Sequence, residues 1–157
     1  MPPAPTAVDP ALQRRLGVDL FNRVWTILEL DERTPEQVDE LVHAAHASAY
    51  HWRQVGAPEN FARSEWQCSR VYAVLERPEP ALHHARRCLE LCEQHDIGDW
   101  DLGFAYEALA RAHALDGDGA GTRRWLAQAE EQAGRIAAAD DREHLVAELA
   151  TITRPSD

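Results

Sequence analysis

The sequence of 157 residues contains no lysine, and all sixteen of its basic residues are arginine. This absence excludes Schiff-base chemistry and the lysine of a phosphate-binding loop. The chain also lacks an apolar run near the ~20 residues that cross a bilayer, and it lacks the apolar-polar alternation of a strand. The start, Met1-Pro2-Pro3-Ala4-Pro5, has neither the charged leader nor the apolar segment of a secretory signal. We therefore expect a soluble, cytoplasmic, all-α protein with no membrane partner.

Positive charge and cysteine are both scarce. The formal net charge of −11 disfavours nucleic acid as a partner, since binding to a phosphate backbone depends on basic residues. Cys68, Cys88 and Cys92 all fall on apolar helical stripes, where free cysteine acts as a small hydrophobic residue in a reducing compartment. The Cys88-x3-Cys92 pair has no further zinc ligands beside it in the sequence.

Apolar residues at spacings of three and four, together with capping signals, predict about seven helices. Asp9-Pro10 begins the first helix, which runs to about Asp31. Thr34-Pro35-Glu36-Gln37 is a capping box that begins the second helix. A hairpin follows in which residues 62–77 lie antiparallel to residues 79–96. A fifth helix from Trp100 to about Leu115, a sixth helix and a short seventh helix complete the chain.

Helices three to six contain an internal repeat that resembles the tetratricopeptide family, whose units are helical hairpins of about 34 residues. Ser69 and Tyr72 take the small and aromatic places of the first helix, and Ala81, Ala85 and Cys88 take the small or apolar places of the second. His113 takes the Tyr72 place in the next unit, 41 positions on (113 − 72 = 41).

This resemblance implies a short α-solenoid of stacked antiparallel hairpins. The expected organisation is a disordered Pro-rich tail (1–8) and a single helical domain (9–157), which is made of a degenerate leading hairpin (9–56), two repeats (59–96 and 100–138) and a capping helix (140–153).

The first helix of each hairpin lines a concave groove in that family. The groove-facing places map here to Arg63, Trp66, Arg70, Ala73, Val74, Phe104, Glu107, Arg111, Ala114 and Leu115. The resemblance therefore implies a non-catalytic adaptor or regulatory module without a cofactor. Its groove would bind a peptide or protein segment that is acidic or ends in a free carboxylate. The alternative is that these arginines are scattered, solvated charges.

A histidine-rich stretch on the second helix offers a different function. Asp39, His43, His46 and Tyr50 share one helical face, and a carboxylate with two imidazoles can hold a transition metal or act in acid-base catalysis. The alternative is that these histidines, with His51, are solvated or bond to neighbouring helices. The second hypothesis is therefore a helical protein that binds a metal or a small molecule through Asp39, His43 and His46. This class includes enzymes. His83-His84 lies beside Arg86 and Arg87, which indicates a solvated face.

Overall fold

The structure, a computed structural model, describes residue 1 and residues 7–156, so residues 2–6 of the predicted tail lie outside the described residues. The described part of the chain forms seven α-helices and no strand. The helices are α1 (Pro10–Leu28), α2 (Pro35–Val55), α3 (Pro58–Val74), α4 (Pro78–Gln94), α5 (Asp99–Leu115), α6 (Gly119–Ala133) and α7 (Ala139–Ala150). The predicted all-α architecture is confirmed, although α1 ends three residues before Asp31.

Proline begins each of the first four helices, at Pro10, Pro35, Pro58 and Pro78. Its fixed φ suits the first helical turn, where its missing N–H would have no partner. The predicted capping box of α2 is present: the Thr34 hydroxyl accepts from the Gln37 backbone N–H at 3.3 Å, and the Thr34 N–H donates to the Gln37 side chain at 2.9 Å.

Three helices end in the same way. Glu76, Asp96 and Gly117 have a positive φ, and the N–H of the following residue in each case donates at 2.9 Å to a carbonyl five positions earlier. This is the Schellman ending of a helix.

The starts of α3 and α5 are 41 positions apart (99 − 58 = 41), as are the starts of α4 and α6 (119 − 78 = 41). The internal repeat is therefore visible in the helix boundaries.

The helices stack in two layers. α1 pairs with α2, α3 with α4 and α5 with α6, and α7 packs on α5 and α6. α3 also contacts both α1 and α5, and α5 contacts α7, so these four helices form an inner layer. Within the described residues, the backbones of the outer helices α2, α4 and α6 stay apart, although the His46 ring of α2 meets the His84 ring of α4 with centroids 5.2 Å apart. The predicted α-solenoid of antiparallel hairpins is confirmed.

Small residues lie where helices approach closely. Ala81 and Ala85 are fully buried, and the Ser69 hydroxyl donates to the Ala81 carbonyl at 2.8 Å, which joins α3 to α4. Gly17 lies under the indole of Trp52, so that a Cβ there would be 3.1 Å from the ring.

Among the described helices, none is both long enough and apolar enough to cross a membrane.

Candidate functional site

The six contact residues predicted for the groove lie on the two central helices of the inner layer: Arg63, Trp66 and Arg70 on α3, and Phe104, Glu107 and Arg111 on α5. Trp66 joins the two helices. Its ring meets Phe104 edge-on with centroids 5.6 Å apart, and its indole N–H donates to Glu107 at 3.3 Å. Trp66 and Glu107 are also 41 positions apart (107 − 66 = 41), so equivalent places of the two repeats contact each other.

Arg63 is already paired with a carboxylate. Its Nε and Nη2 each donate to Asp101 at 2.9 Å, and these hydrogen bonds raise the pKa of Arg63. The guanidinium also lies over the ring of Trp100, 4.5 Å from its centroid. Two parallel hydrogen bonds and a stacked ring hold the Arg63 guanidinium in one position, and the Asp101 carboxylate balances its charge.

Arg70 and Arg111 share two carboxylates. Arg111 Nε donates to Glu107 Oε1 at 2.6 Å, and Arg70 Nη1 lies 3.5 Å from the same oxygen. Arg70 Nη2 donates to Glu148 Oε2 at 2.8 Å, while Arg111 Nη2 bonds the Glu148 carbonyl and the Thr151 hydroxyl. The side chain of Glu107 is only 1% exposed. These four charged residues, here called the arginine network, tie α3 and α5 to α7.

An apolar pocket lies on one side of the arginine network. It has a volume of about 370 Å³, and its walls come from α1, α3, α5 and α7, with one contact from α4. Five aromatic side chains surround it: Phe21, Trp25, Trp66, Trp100 and Phe104. Trp66 links the set, since its ring centroid is 5.6 Å from that of Trp25 as well as from that of Phe104. We call this the aromatic pocket.

The sequence did not identify three of these rings. Phe21 and Trp25 lie on α1, which carries no repeat motif that would fix which side faces inward. Trp100 lies at the start of α5, before the places that the repeat pattern covers. The spacing of Phe21 and Trp25, one helical turn apart, was the available signal.

Two residues of α7 line the mouth of the aromatic pocket. The His144 ring packs on Phe104 with centroids 5.2 Å apart, and Asp141 lies beside it. Among the described residues, no hydrogen bond or ion pair is made by the Asp141 carboxylate. The mouth therefore carries a free negative charge next to the paired charges of Arg63 and Asp101.

A second cavity lies on the other side of the arginine network. It has a volume of about 410 Å³ and is lined by Arg70, Arg111 and the segment 151–153. The four remaining groove places predicted from the sequence also line it: Ala73, Val74, Ala114 and Leu115. We call it the C-terminal cleft. All ten groove places thus lie around one face of the molecule.

A larger cavity of about 520 Å³ lies outside the inner layer, between α4, α5 and α6. Its lining includes Arg86, Glu90, Glu93 and Arg124, charges of both signs that water solvates well. We place the candidate site in the aromatic pocket instead, because apolar walls with a few polar groups at the mouth are typical of binding sites.

The histidines of α2 do not all point the same way. Asp39, His43 and Tyr50 are exposed, and the Nδ1 atom of His51 lies 2.5 Å from the Gln13 side chain. His46 is exposed as well, but its ring meets α3, with its Nε2 atom 2.9 Å from the Tyr72 hydroxyl. Partial burial of this ring, and then the neighbouring His84, lower the pKa of His46.

Within the described residues, one group of three potential metal ligands lies close enough together to share an ion: His46, Cys68 and His84. It includes neither Asp39 nor His43, the partners of His46 in the sequence hypothesis. Cys68 is buried, which raises the pKa of its thiol to about 12. His84, expected on a solvated face, is half-buried and bonds Glu65 at 2.6 Å.

Comparison of the chain with protein-family models, with curated proteins and with solved structures found no match.

Proposed function

We propose that this protein is a non-catalytic cytoplasmic adaptor or regulatory module that binds a peptide or protein segment across its inner face. The resemblance to tetratricopeptide repeats supports this mode of binding. The single observation that carries the proposal is the aromatic pocket, an apolar cavity on the face where all ten predicted groove places lie.

The aromatic pocket suits one large apolar side chain as an anchor. Its volume of about 370 Å³ lies in the usual range for ligand sites. Burial of a Leu, Phe or Met side chain contributes roughly 1.5 to 3 kcal/mol, and a few buried anchors usually supply most of the energy of an interface. We therefore expect the bound segment to place one such residue between Trp66, Trp100 and Phe104.

The C-terminal cleft favours an extended segment over a small molecule. It lies beyond the arginine network from the aromatic pocket and has a comparable volume of about 410 Å³. A segment of several residues can occupy both cavities and cross the network between them, whereas a compact ligand fills only one.

The arginine network defines how an acidic partner would bind. Arg70 and Arg111 of the network, and Arg63 beside it, each already contact a carboxylate, so a partner's carboxylate must replace one of these. Glu148 is the replaceable one, because its side chain is 24% exposed and that of Glu107 is 1% exposed. A free C-terminal carboxylate would then bond Arg70 and Arg111 in place of Glu148.

The test is a selection of peptides from a random library, followed by measurement of their affinity for purified variants. Trp66→Ala removes a wall of the aromatic pocket, and Trp125→Ala is the matched control, since Trp125 is a half-buried tryptophan on α6 outside this face. We expect the selected peptides to share a large apolar residue and to bind Trp66→Ala about thirtyfold more weakly, the effect of losing a contact worth about 2 kcal/mol.

Trp125→Ala should retain the affinity, and circular dichroism should show that both variants remain helical. Synthesis of each peptide with a free or an amidated C-terminus separates the role of the carboxylate from that of the anchor. The proposal fails if the library gives no specific peptide, or if both tryptophan variants bind the selected peptides equally well.

A further inference from the structure

Three helices meet at a group of side chains that the binding face does not use. α2 contributes His46, α3 contributes Cys68 and α4 contributes His84. One ring nitrogen of each histidine and the Cys68 sulfur all lie within 4.8 Å of one another. A tetrahedral zinc ion with bonds of about 2.0 to 2.3 Å holds its ligand atoms ~3.5 Å apart. Small side-chain rotations therefore suffice to close the group around an ion.

The ligand set selects the class of ion. Imidazole nitrogen and thiolate sulfur bind zinc and other late transition metals, whereas magnesium and calcium require oxygen ligands. Three protein ligands of these types, with water in the fourth position, are the arrangement of an open zinc site.

The contact with Glu65 determines which nitrogen of His84 is available to a metal ion. The Nδ1 atom of His84 lies 2.6 Å from the Glu65 carboxylate. An ionised carboxylate accepts hydrogen bonds and cannot donate them. Nδ1 therefore carries the proton, and Nε2 keeps its lone pair for an ion. A carboxylate behind a histidine is the usual support of metal-binding imidazoles.

The surroundings also balance the charge. Cys68 is 1% exposed, so an ion beside it needs nearby negative charge. When zinc binds, the S–H bond of Cys68 breaks, the Zn–S bond forms and the proton passes to solvent. The thiolate and Glu65 together then offset the two positive charges of the ion.

We infer that His46, Cys68 and His84 form a zinc site that joins α2 to the α3–α4 hairpin, with Glu65 as the residue that positions His84. The site differs from the sequence hypothesis on α2, since it uses His46 with ligands from two other helices in place of Asp39 and His43. It is independent of peptide binding on the inner face.

Cobalt titration of the untagged, chelator-treated protein tests this inference. We expect one Co²⁺ per chain, with the thiolate-to-cobalt absorption band of a sulfur ligand and the strong visible bands of tetrahedral geometry. Zn²⁺ should displace the cobalt and raise the melting temperature. His46→Gln, His84→Gln and Cys68→Ser should each lose the tetrahedral spectrum, and His46→Gln guards against misfolding because His46 is exposed.

The matched controls are His43→Gln, one turn from His46, and His83→Gln, the exposed neighbour of His84. Both should bind like the wild type, while Glu65→Gln should bind zinc about 10- to 100-fold more weakly. Absence of stoichiometric binding, a sulfur band that survives Cys68→Ser, or equal losses in the control variants would overturn the inference.

Discussion

At the scale of single residues, the Glu107 carboxylate holds the arginines of the inner face in place. It accepts from Arg111 and from the Trp66 indole, and it lies 3.5 Å from Arg70. A carboxylate that is 1% exposed is stable only when such partners replace the water that it has lost. Conversely, the two guanidinium groups are each about 20% exposed and depend on its charge.

Glu107→Gln should therefore destabilise the protein strongly, although it keeps the shape of the side chain. Loss of one partner of a buried ion pair costs about 3 kcal/mol. Urea unfolding followed by circular dichroism measures this cost. Glu143→Gln on α7 is the control, since Glu143 is exposed and should change the free energy of unfolding by less than about 0.5 kcal/mol. Equal stability of the two variants would contradict a central role for Glu107.

The sequence could predict which residues of the inner face lie together, but not what they bond. Helical spacing aligned Arg63, Trp66 and Arg70, and the repeat offset placed Arg111 next to them. The partner Glu148 is 78 positions from Arg70 on a helix without a repeat motif. The sequence therefore implied groove arginines that are available to an acidic partner, where the structure has paired charges. The same limit applies to Cys68. The sequence predicts it to be a core residue, and only the structure shows that His46 of α2 and His84 of α4 lie next to it.

At the scale of the helices, local chemistry determined most of the boundaries. Proline at the first turn and the Thr34 capping box mark where helices begin, and both can be read directly from the sequence. No sequence motif predicts how α1 packs on α2. It depends instead on the close approach of Gly17 to Trp52, where the Ser48 hydroxyl donates to the Gly17 carbonyl at 2.7 Å.

Ala85→Leu tests the packing of α4 in the centre of the solenoid. Ala85 is 0% exposed and packs in a cluster with Ala108 and Leu109 of α5. Three additional carbon atoms at this position force neighbouring side chains apart, which costs roughly 1 to 3 kcal/mol. We expect a lower melting temperature for Ala85→Leu. Arg86→Leu, which introduces the same residue at the adjacent exposed position, should melt close to the wild type. Similar melting of both variants would refute this packing.

At the scale of the whole molecule, the solenoid has mostly local contacts. In backbone packing, α1 lies only against α2 and α3 among the described helices and α7 only against α5 and α6, while the Arg70–Glu148 ion pair links α7 to α3. In such an array, stability is close to the sum of hairpin and interface contributions. α7 closes one end by placing Leu145 against α5, where Gly103 leaves room that a Cβ would occupy. Loss of this contact should therefore weaken one end of the molecule more than the other.

Leu145→Ala, measured by native-state hydrogen exchange, tests this local character. Leu145 is 0% exposed and belongs to the cluster of α5, α6 and α7, so its truncation should cost about 2 to 5 kcal/mol. We expect amide protection to fall most in α7 and in the parts of α5 and α6 that face it, while α1 and α2 stay close to the wild type. Val146→Ala is the control, because Val146 is 53% exposed and its truncation leaves this cluster intact. If protection falls equally in all seven described helices, the chain unfolds as one unit and its stability is not the sum of local interfaces.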